Sequence, residues 1–250
     1  MALSDATTSH QVPAPSSLLA LFLSLIAPSR CAGCGQPRRG AGGGGFCRTC
    51  WEGLPRFAAG STCPRCALPT GGTLCRGCAA SEPPVSRTVA FGPYEDGLKR
   101  LVHAIKFQGF DIAAAPAGAR LADTVRRSGF DAHDAVVAVP STRRRNRERG
   151  YDPGALLAQE LGRRLSLRIL PALTRVRETR PQSALGASER RSNVAGAFRG
   201  RPMAAGRSLL LVDDVMTTGA TAFTAAGALR DAGARRVDLA ILARTPEPAA

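Results

Sequence analysis

Apolar positions in the C-terminal two thirds of the chain alternate between a strand period and a helix period. RTVAFG from Arg87 reads as a strand, and Leu98, Leu101, Val102 and Ile105 then recur at i, i+3, i+4 and i+7, one face of a helix. A second helix is expected from about Ile112 to Arg127, and AVVAV from Ala135 reads as a buried strand. Asp152 and Pro153 supply an N-cap and an N1 proline for a helix through Leu165. Leu209 to Val212 form a wholly apolar strand, as the middle of a parallel sheet requires. A helix follows to about Ala232, with Gly233 as its C-cap, and then the strand VDLAIL from Val237. This order predicts an α/β fold, a doubly wound and mostly parallel sheet with helices on both faces.

Before Arg87 that periodicity is lost and cysteine takes over. All eight cysteines lie between Cys31 and Cys78, in four successive CxxC pairs: CAGC, CRTC, CPRC and CRGC. A CxxC turn aims two sulfurs at one point, and two turns on facing hairpin arms complete a tetrahedral Cys₄ shell. CAGCGQPRRGAGGGGFCRTC and CPRCALPTGGTLCRGC share the order pair, Pro and Gly turn, pair, an internal repeat. The expectation is therefore one Zn²⁺ on Cys31, Cys34, Cys47 and Cys50, and a second on Cys63, Cys66, Cys75 and Cys78, although an interleaved pairing satisfies the same spacing. Disulfides, redox dithiols and an iron–sulfur cluster are the competing uses, and fourfold repetition argues against a redox motif. So few large apolar side chains cannot fold this stretch by burial, and metal substitutes for a core.

The expected organisation is a leader at 1–29, a double zinc ribbon at 30–82, a larger domain at 85–245 and a tail at 246–250. The apolar run from Leu18 to Ala27 has half the length of a membrane crossing and no Lys or Arg before it. It reads as a short amphipathic or buried helix, with no transmembrane segment, and the chain is expected in the reducing cytoplasm.

Charge narrows the partners. The formal net charge is +15, and two Zn(Cys)₄ sites would lower it to about +11. Such an excess favours phosphate-bearing ligands. Nearly all the basic residues are Arg, which with abundant Ala and Gly points to GC-rich codon usage, so Arg counts overstate selection. No GK[ST] or HExxH occurs, which excludes a Walker A motor and that zinc-protease motif.

The segment LLLVDDVMTTGAT carries the chemistry. Asp213 and Asp214 stand at the carboxyl end of the apolar strand, where open α/β sheets bind ligands. Met216, Thr217, Thr218, Gly219, Ala220 and Thr221 then open a helix whose free N–H groups can cradle a phosphate. Gly219 would let the backbone approach that phosphate closely. Two carboxylates beside the cradle suit ribose hydroxyls, and they would stabilise an oxocarbenium-like sugar as pyrophosphate leaves. Mg²⁺ would balance the leaving group.

This segment resembles the type I phosphoribosyltransferase signature at all thirteen positions from Leu209 to Thr221. The resemblance implies that Asp213 and Asp214 contact the ribose of 5-phosphoribosyl-1-pyrophosphate (PRPP) and that Met216 to Thr221 wrap its 5′-phosphate. Over nearly the whole chain the sequence is similar to the ComF family, associated with DNA uptake and competence in bacteria. The matching pieces are the double ribbon, HAIKFQG from His103, VPSTRRRNRERGYD from Val139 and TRPQSALGASERRSNVAGAF from Thr179. The likeness implies a pyrophosphate-side loop at Pro140, Ser141, Thr142 and Arg143, and a hood carrying Arg180, Gln182, Arg190 and Asn193. Asp152 and Pro153 stand where family members usually have Asn and Gln, which weakens a role there.

The run Arg143 to Arg149 holds five Arg and one Glu, and reads either as a solvated loop or as a binder of pyrophosphate or polynucleotide. His10, His103 and His133 sit singly, with no chemistry assigned. Three functions remain open: phosphoribosyl transfer from PRPP to an acceptor, a non-catalytic PRPP sensor or handler of single-stranded DNA, or ribbons that serve as an adaptor for membrane or transformation proteins. The partners expected across these readings are PRPP, single-stranded DNA and DNA-uptake or recombination proteins.

Overall fold

A computed structural model describes residues 30–38, 44–130, 132–178 and 194–246. The cysteine segment contributes two short helices, α1 (Arg48–Glu52) and α2 (Arg76–Ala80). After it come β1 (Thr88–Pro93), α3 (Asp96–Phe107), a 3₁₀ turn at Asp111–Ala113 and α4 (Ala114–Arg127). Next are β2 (Ala135–Ala138), α5 (Arg143–Arg149), α6 (Pro153–Leu165) and the short strands β3 (Leu173–Arg175) and β4 (Phe198–Gly200). The chain closes with β5 (Ser208–Met216), α7 (Ala220–Asp231) and β6 (Arg236–Arg244).

Four strands form a parallel sheet in the order β1-β6-β5-β2, and β3 and β4 pair as a separate antiparallel ribbon. Strand alternation divides the core in two. Leu210, Val212, Ala240 and Leu242 face α3, α4 and α6, while Leu209, Leu211, Leu239 and Ile241 face α7 and the β3–β4 ribbon. Helices thus cover both faces, as the sequence pattern predicts.

Local signals account for the element ends. The side chain of Asp152 accepts from Gly154 N and Ala155 N, so it caps α6 with Pro153 at the first turn. Leu98, Leu101, Val102 and Ile105 are all buried along one side of α3. Two expectations need correction. The strand expected to end at Val212 runs on to Met216, because hydrogen-bonded registry with β6 continues past the acidic pair, so Asp213 and Asp214 lie within it. The arginine run is no loop: Thr142 caps it by accepting from Arg145 N, Gly150 ends it in the left-handed region, and the segment between is helical.

The ribbons are built into this core. Cys31, Phe46, Trp51 and Leu54 pack in the cluster beneath α3 and α4, whereas Cys63, Cys66, Ala67 and Leu68 pack in the cluster on the opposite face. Each face of the sheet therefore carries one ribbon. The apolar run 18–27, the residues 1–29 as a whole, Arg39 and residues 247–250 of the tail lie outside the described residues. Among the described residues no helix is long and apolar enough to cross a membrane.

Candidate functional site

The repeat seen in the cysteine segment is structural. In the first ribbon Cys31 N donates to Gln36 O and Gly35 N to Cys31 O; in the second, Cys63 N donates to Leu68 O and Ala67 N to Cys63 O. An isolated antiparallel bridge flanks each turn, Arg30 with Pro37 and Thr62 with Pro69. The second CxxC of each ribbon starts at a helix N-cap, Cys47 for α1 and Cys75 for α2. The sulfurs gather sequentially: those of Cys31, Cys34, Cys47 and Cys50 lie within 4.8 Å of one another, as do those of Cys63, Cys66, Cys75 and Cys78.

Both groups fit a divalent cation. Burial raises the Cys31 thiol, but N–H donors from Cys47, Cys34 and Gly33 outweigh it and lower the group to about 6. Cys63 is lowered to about 7 against the same burial by donors from Cys75, Arg65 and Cys66. Their neighbours move the other way, since burial and nearby sulfurs raise Cys66 to about 11 and push Cys50 and Cys78 up further. Four crowded sulfurs cannot all ionise without a cation between them. Packing is close as well: a Cβ on Gly33 would sit 2.8 Å from Cys50 Sγ. Bound Zn²⁺ would hold each ribbon closed, a structural task.

At the carboxyl end of the parallel sheet lies a cleft of about 340 Å³. Its lining includes the acidic pair Asp213 and Asp214, the cations Lys106, Arg145, Arg149 and Arg175, and the aromatic residues Tyr94 and Phe107. Lys106, near the end of α3, holds Asp214 through an ion pair of 2.7 Å. Asp213 accepts from Asp214 N at 2.9 Å. Burial and the Asp214 charge push the Asp213 carboxyl up to about 8, while Lys106 pulls it down. Arg175 comes from the other face of the sheet, donates to Pro140 O at 3.2 Å and stacks 5.0 Å from the Phe198 ring. Burial and the Arg145 charge lower its affinity for its proton. These crowded cations would gain from a polyanion between them.

Next to the cleft a small cup of about 20 Å³ is lined by Asp213, Met216, Thr217, Gly219, Ala220 and Thr221, among others. It sits at the N-terminus of α7, where first-turn N–H groups have no intrahelical partner. Gly219 caps that helix at φ +82°, and a Cβ there would meet Phe223 Cε2 at 2.5 Å and Met216 Cε at 2.7 Å. Glycine is thus required by the left-handed turn and by packing behind the cup, a different reason from close approach to a ligand. Met216 itself is buried, and Thr218 Oγ1 accepts from Ala220 N at 3.4 Å.

The loop before α5 is organised by Asp152, which accepts from Ser141 N, Ser141 Oγ and Asn146 Nδ2 besides capping α6. Asp152 therefore has a structural role where the family comparison suggested a weakened one. Ser141 lines the cleft; Thr142 is buried as a helix cap, and the exposed Arg143 is outside the lining. Arg180, Gln182, Arg190 and Asn193 lie outside the described residues. Of the arginine run, Arg145 and Arg149 line the cleft, and the lining residues missed from sequence are Lys106 and Arg175, together with Tyr94 and Phe107. HAIKFQG signalled the first of these, but nothing local tied Arg175 to the acidic pair. His133 was also missed as a partner: it pairs with buried Asp238 at 2.9 Å, and Arg236 joins them at 3.2 Å.

A phosphoribosyl transferase domain model matches residues 114–250, and a double zinc ribbon domain model matches residues 22–80. The chain belongs to the ComF family. Relatives of this ComF chain include DNA utilization protein YhgH of Salmonella typhi, 36% identical over 80% of this chain and 91% of that protein. Competence protein F of Haemophilus influenzae is 31% identical over 80% of this chain and 90% of its own length. Among solved structures, a glutamine PRPP amidotransferase from B. subtilis aligns over 58% of the chain at 18% identity and a TM-score of 0.36. The chain spans about a quarter of that protein, 27% of its length.

Proposed function

We propose that the cleft binds Mg²⁺-PRPP and that the protein transfers the phosphoribosyl group to an acceptor in the service of DNA utilisation. The observation that carries this reading is one cleft uniting an acidic pair, a helix N-terminal cup and four cationic side chains. The cup would take the 5′-phosphate at the start of α7. Asp213 and Asp214 would accept hydrogen bonds from the ribose 2′- and 3′-hydroxyls, and Lys106, Arg145, Arg149 and Arg175 would face the pyrophosphate. Mg²⁺ bound with the substrate would supply further positive charge to that leaving group.

Transfer then breaks the bond from C1′ to the pyrophosphate oxygen, with the electron pair leaving on oxygen. The acceptor nucleophile forms the new bond to C1′ and its proton passes to the departing pyrophosphate or to solvent. The two carboxylates stabilise the positive charge that grows on the ring between these events. The names of the relatives, DNA utilization protein and Competence protein F, support placing this chemistry in DNA uptake. Titration calorimetry with Mg-PRPP tests the reading: wild type should bind, and Asp213→Asn with Asp214→Asn should abolish binding while the circular dichroism stays unchanged. Equal affinity in both proteins would sink it.

The exposed side of α5 favours a second reading. Arg143, Arg144 and Arg147 lie outside the cleft lining and are exposed, whereas Arg145 and Arg149 turn into it. That outer row supports contact with the phosphates of a single strand beside the cleft.

A further inference from the structure

The second ribbon and the phosphate cup share one buried side chain. Arg244, the last residue of β6, is 4% exposed. Its Nε donates to Cys66 O at 2.9 Å, and its Nη1 donates to Met216 O at 3.1 Å and to the carbonyls of Thr217 and Thr245. Cys66 belongs to the second cysteine group, and Met216 and Thr217 form the wall of the cup. One planar guanidinium with fixed donor directions therefore spans from a metal ligand's carbonyl to the loop expected to hold the phosphate.

Resting on the proposed PRPP reading, we infer that the second zinc site positions the phosphate cup through Arg244, so that metal occupancy there and PRPP affinity are coupled. The Cys66 carbonyl is fixed by the CxxC turn, in which Cys63 N donates to Leu68 O at 2.7 Å and Ala67 N to Cys63 O at 2.8 Å. Metal would keep that turn closed by tying the sulfurs of Cys63 and Cys66 to those of Cys75 and Cys78 on the second CxxC. If the turn opens, Arg244 loses an acceptor inside the protein, where an unsatisfied charged donor is costly. A shift of the guanidinium to replace that acceptor would carry the carbonyls of Met216 and Thr217 with it. The cup would then have to be rebuilt at each binding event, which lowers affinity by the fraction of molecules already competent.

The first ribbon supplies the control. It docks beneath α3 and α4, with Trp51 under the Arg120 guanidinium at 4.4 Å and Phe46 beside Trp51 at 5.4 Å. Arg244 joins Cys66 of the other ribbon, and coupling is reciprocal: whatever zinc does for PRPP, PRPP must do for zinc.

The test uses the full chain loaded with two zinc ions. Mg-PRPP dissociation constants are measured by calorimetry for wild type, Cys34→Ser, Cys78→Ser and Arg244→Gln. The equilibrium partition of zinc to a colorimetric chelator is measured with and without saturating Mg-PRPP. Cys78→Ser should weaken PRPP binding about tenfold, within the usual range of coupling, and Cys34→Ser less than about twofold. In wild type, saturating Mg-PRPP should tighten one zinc of the two against the chelator by a similar factor, and Arg244→Gln should remove that effect. Should Cys78→Ser fail to fold, the chelator experiment on wild type decides. Zinc affinity indifferent to bound PRPP, or Cys78→Ser lacking one zinc yet binding as wild type does, would overturn the coupling and leave the PRPP reading standing. Failure of zinc-loaded wild type to bind Mg-PRPP would overturn both.

Discussion

Asp213 provides a quantitative test of the cleft, because its carboxyl is pushed up to about 8 by burial and by the Asp214 charge. At pH 7 the protonated form is then favoured, and a ribose-binding role that needs the carboxylate must first remove the proton. Affinity for Mg-PRPP should rise about tenfold from pH 7 to a plateau above pH 8.5, equivalent to about 1.4 kcal/mol. Calorimetry in two buffers of different ionisation enthalpy would count the released protons, which should be most numerous near pH 7 and fall as pH passes about 8. PRPP titrates too, so Asp213→Asn measured in the same buffers isolates the contribution of the protein. That variant should bind weakly and release only the protons belonging to the ligand. Stability moves in the opposite sense. A carboxyl raised from 3.8 to about 8 by folding favours the native state below pH 4, and that contribution is lost as pH climbs through about 8. Asp213→Asn should therefore flatten the fall of Tm between pH 6 and pH 8.5. Wild-type affinity and proton release indistinguishable from those of Asp213→Asn across this range would refute the reasoning.

Lys106 lowers the Asp213 carboxyl, so Lys106→Gln should move the midpoint of the binding profile to higher pH, read from the same calorimetric series. Elemental analysis of protein purified without added metal should return about two zinc per chain, and Cys47→Ser should leave about one. Because Trp51 and Leu54 of the first ribbon belong to the core beneath α4, Cys47→Ser should also lower the Tm of the whole chain rather than unfold the ribbon in isolation. On α5, Arg145→Ala with Arg149→Ala should weaken Mg-PRPP binding. Removal of Arg143, Arg144 and Arg147 should spare it and flatten the salt slope of single-stranded DNA binding by about two. A slope unchanged in that triple variant would make the outer row a solvated helix face.

Element types and the CxxC turns as metal-ligand pairs were legible in the sequence because both are short-range properties, whereas the choice of sequential over interleaved pairing came from the structure. The i, i+3, i+4, i+7 spacing of Leu98 to Ile105, the Asp152–Pro153 helix start and the repeated CxxC spacing act within a few residues or one hairpin, where chain geometry alone restricts the outcome. The helical state of the arginine run was missed although its cap was local: Thr142 before it and Gly150 after it outweigh the repulsion of five like charges. What only the tertiary structure decided is which distant groups meet. Lys106 reaches Asp214, Arg175 crosses from the opposite face toward Asp213, and Arg244 reaches a carbonyl 178 residues earlier in the chain. Those meetings depend on the strand order β1-β6-β5-β2 and on a ribbon packed against each face. Strand order and docking follow from the burial of whole surfaces, a sum over many side chains that leaves no mark at any single position of the sequence.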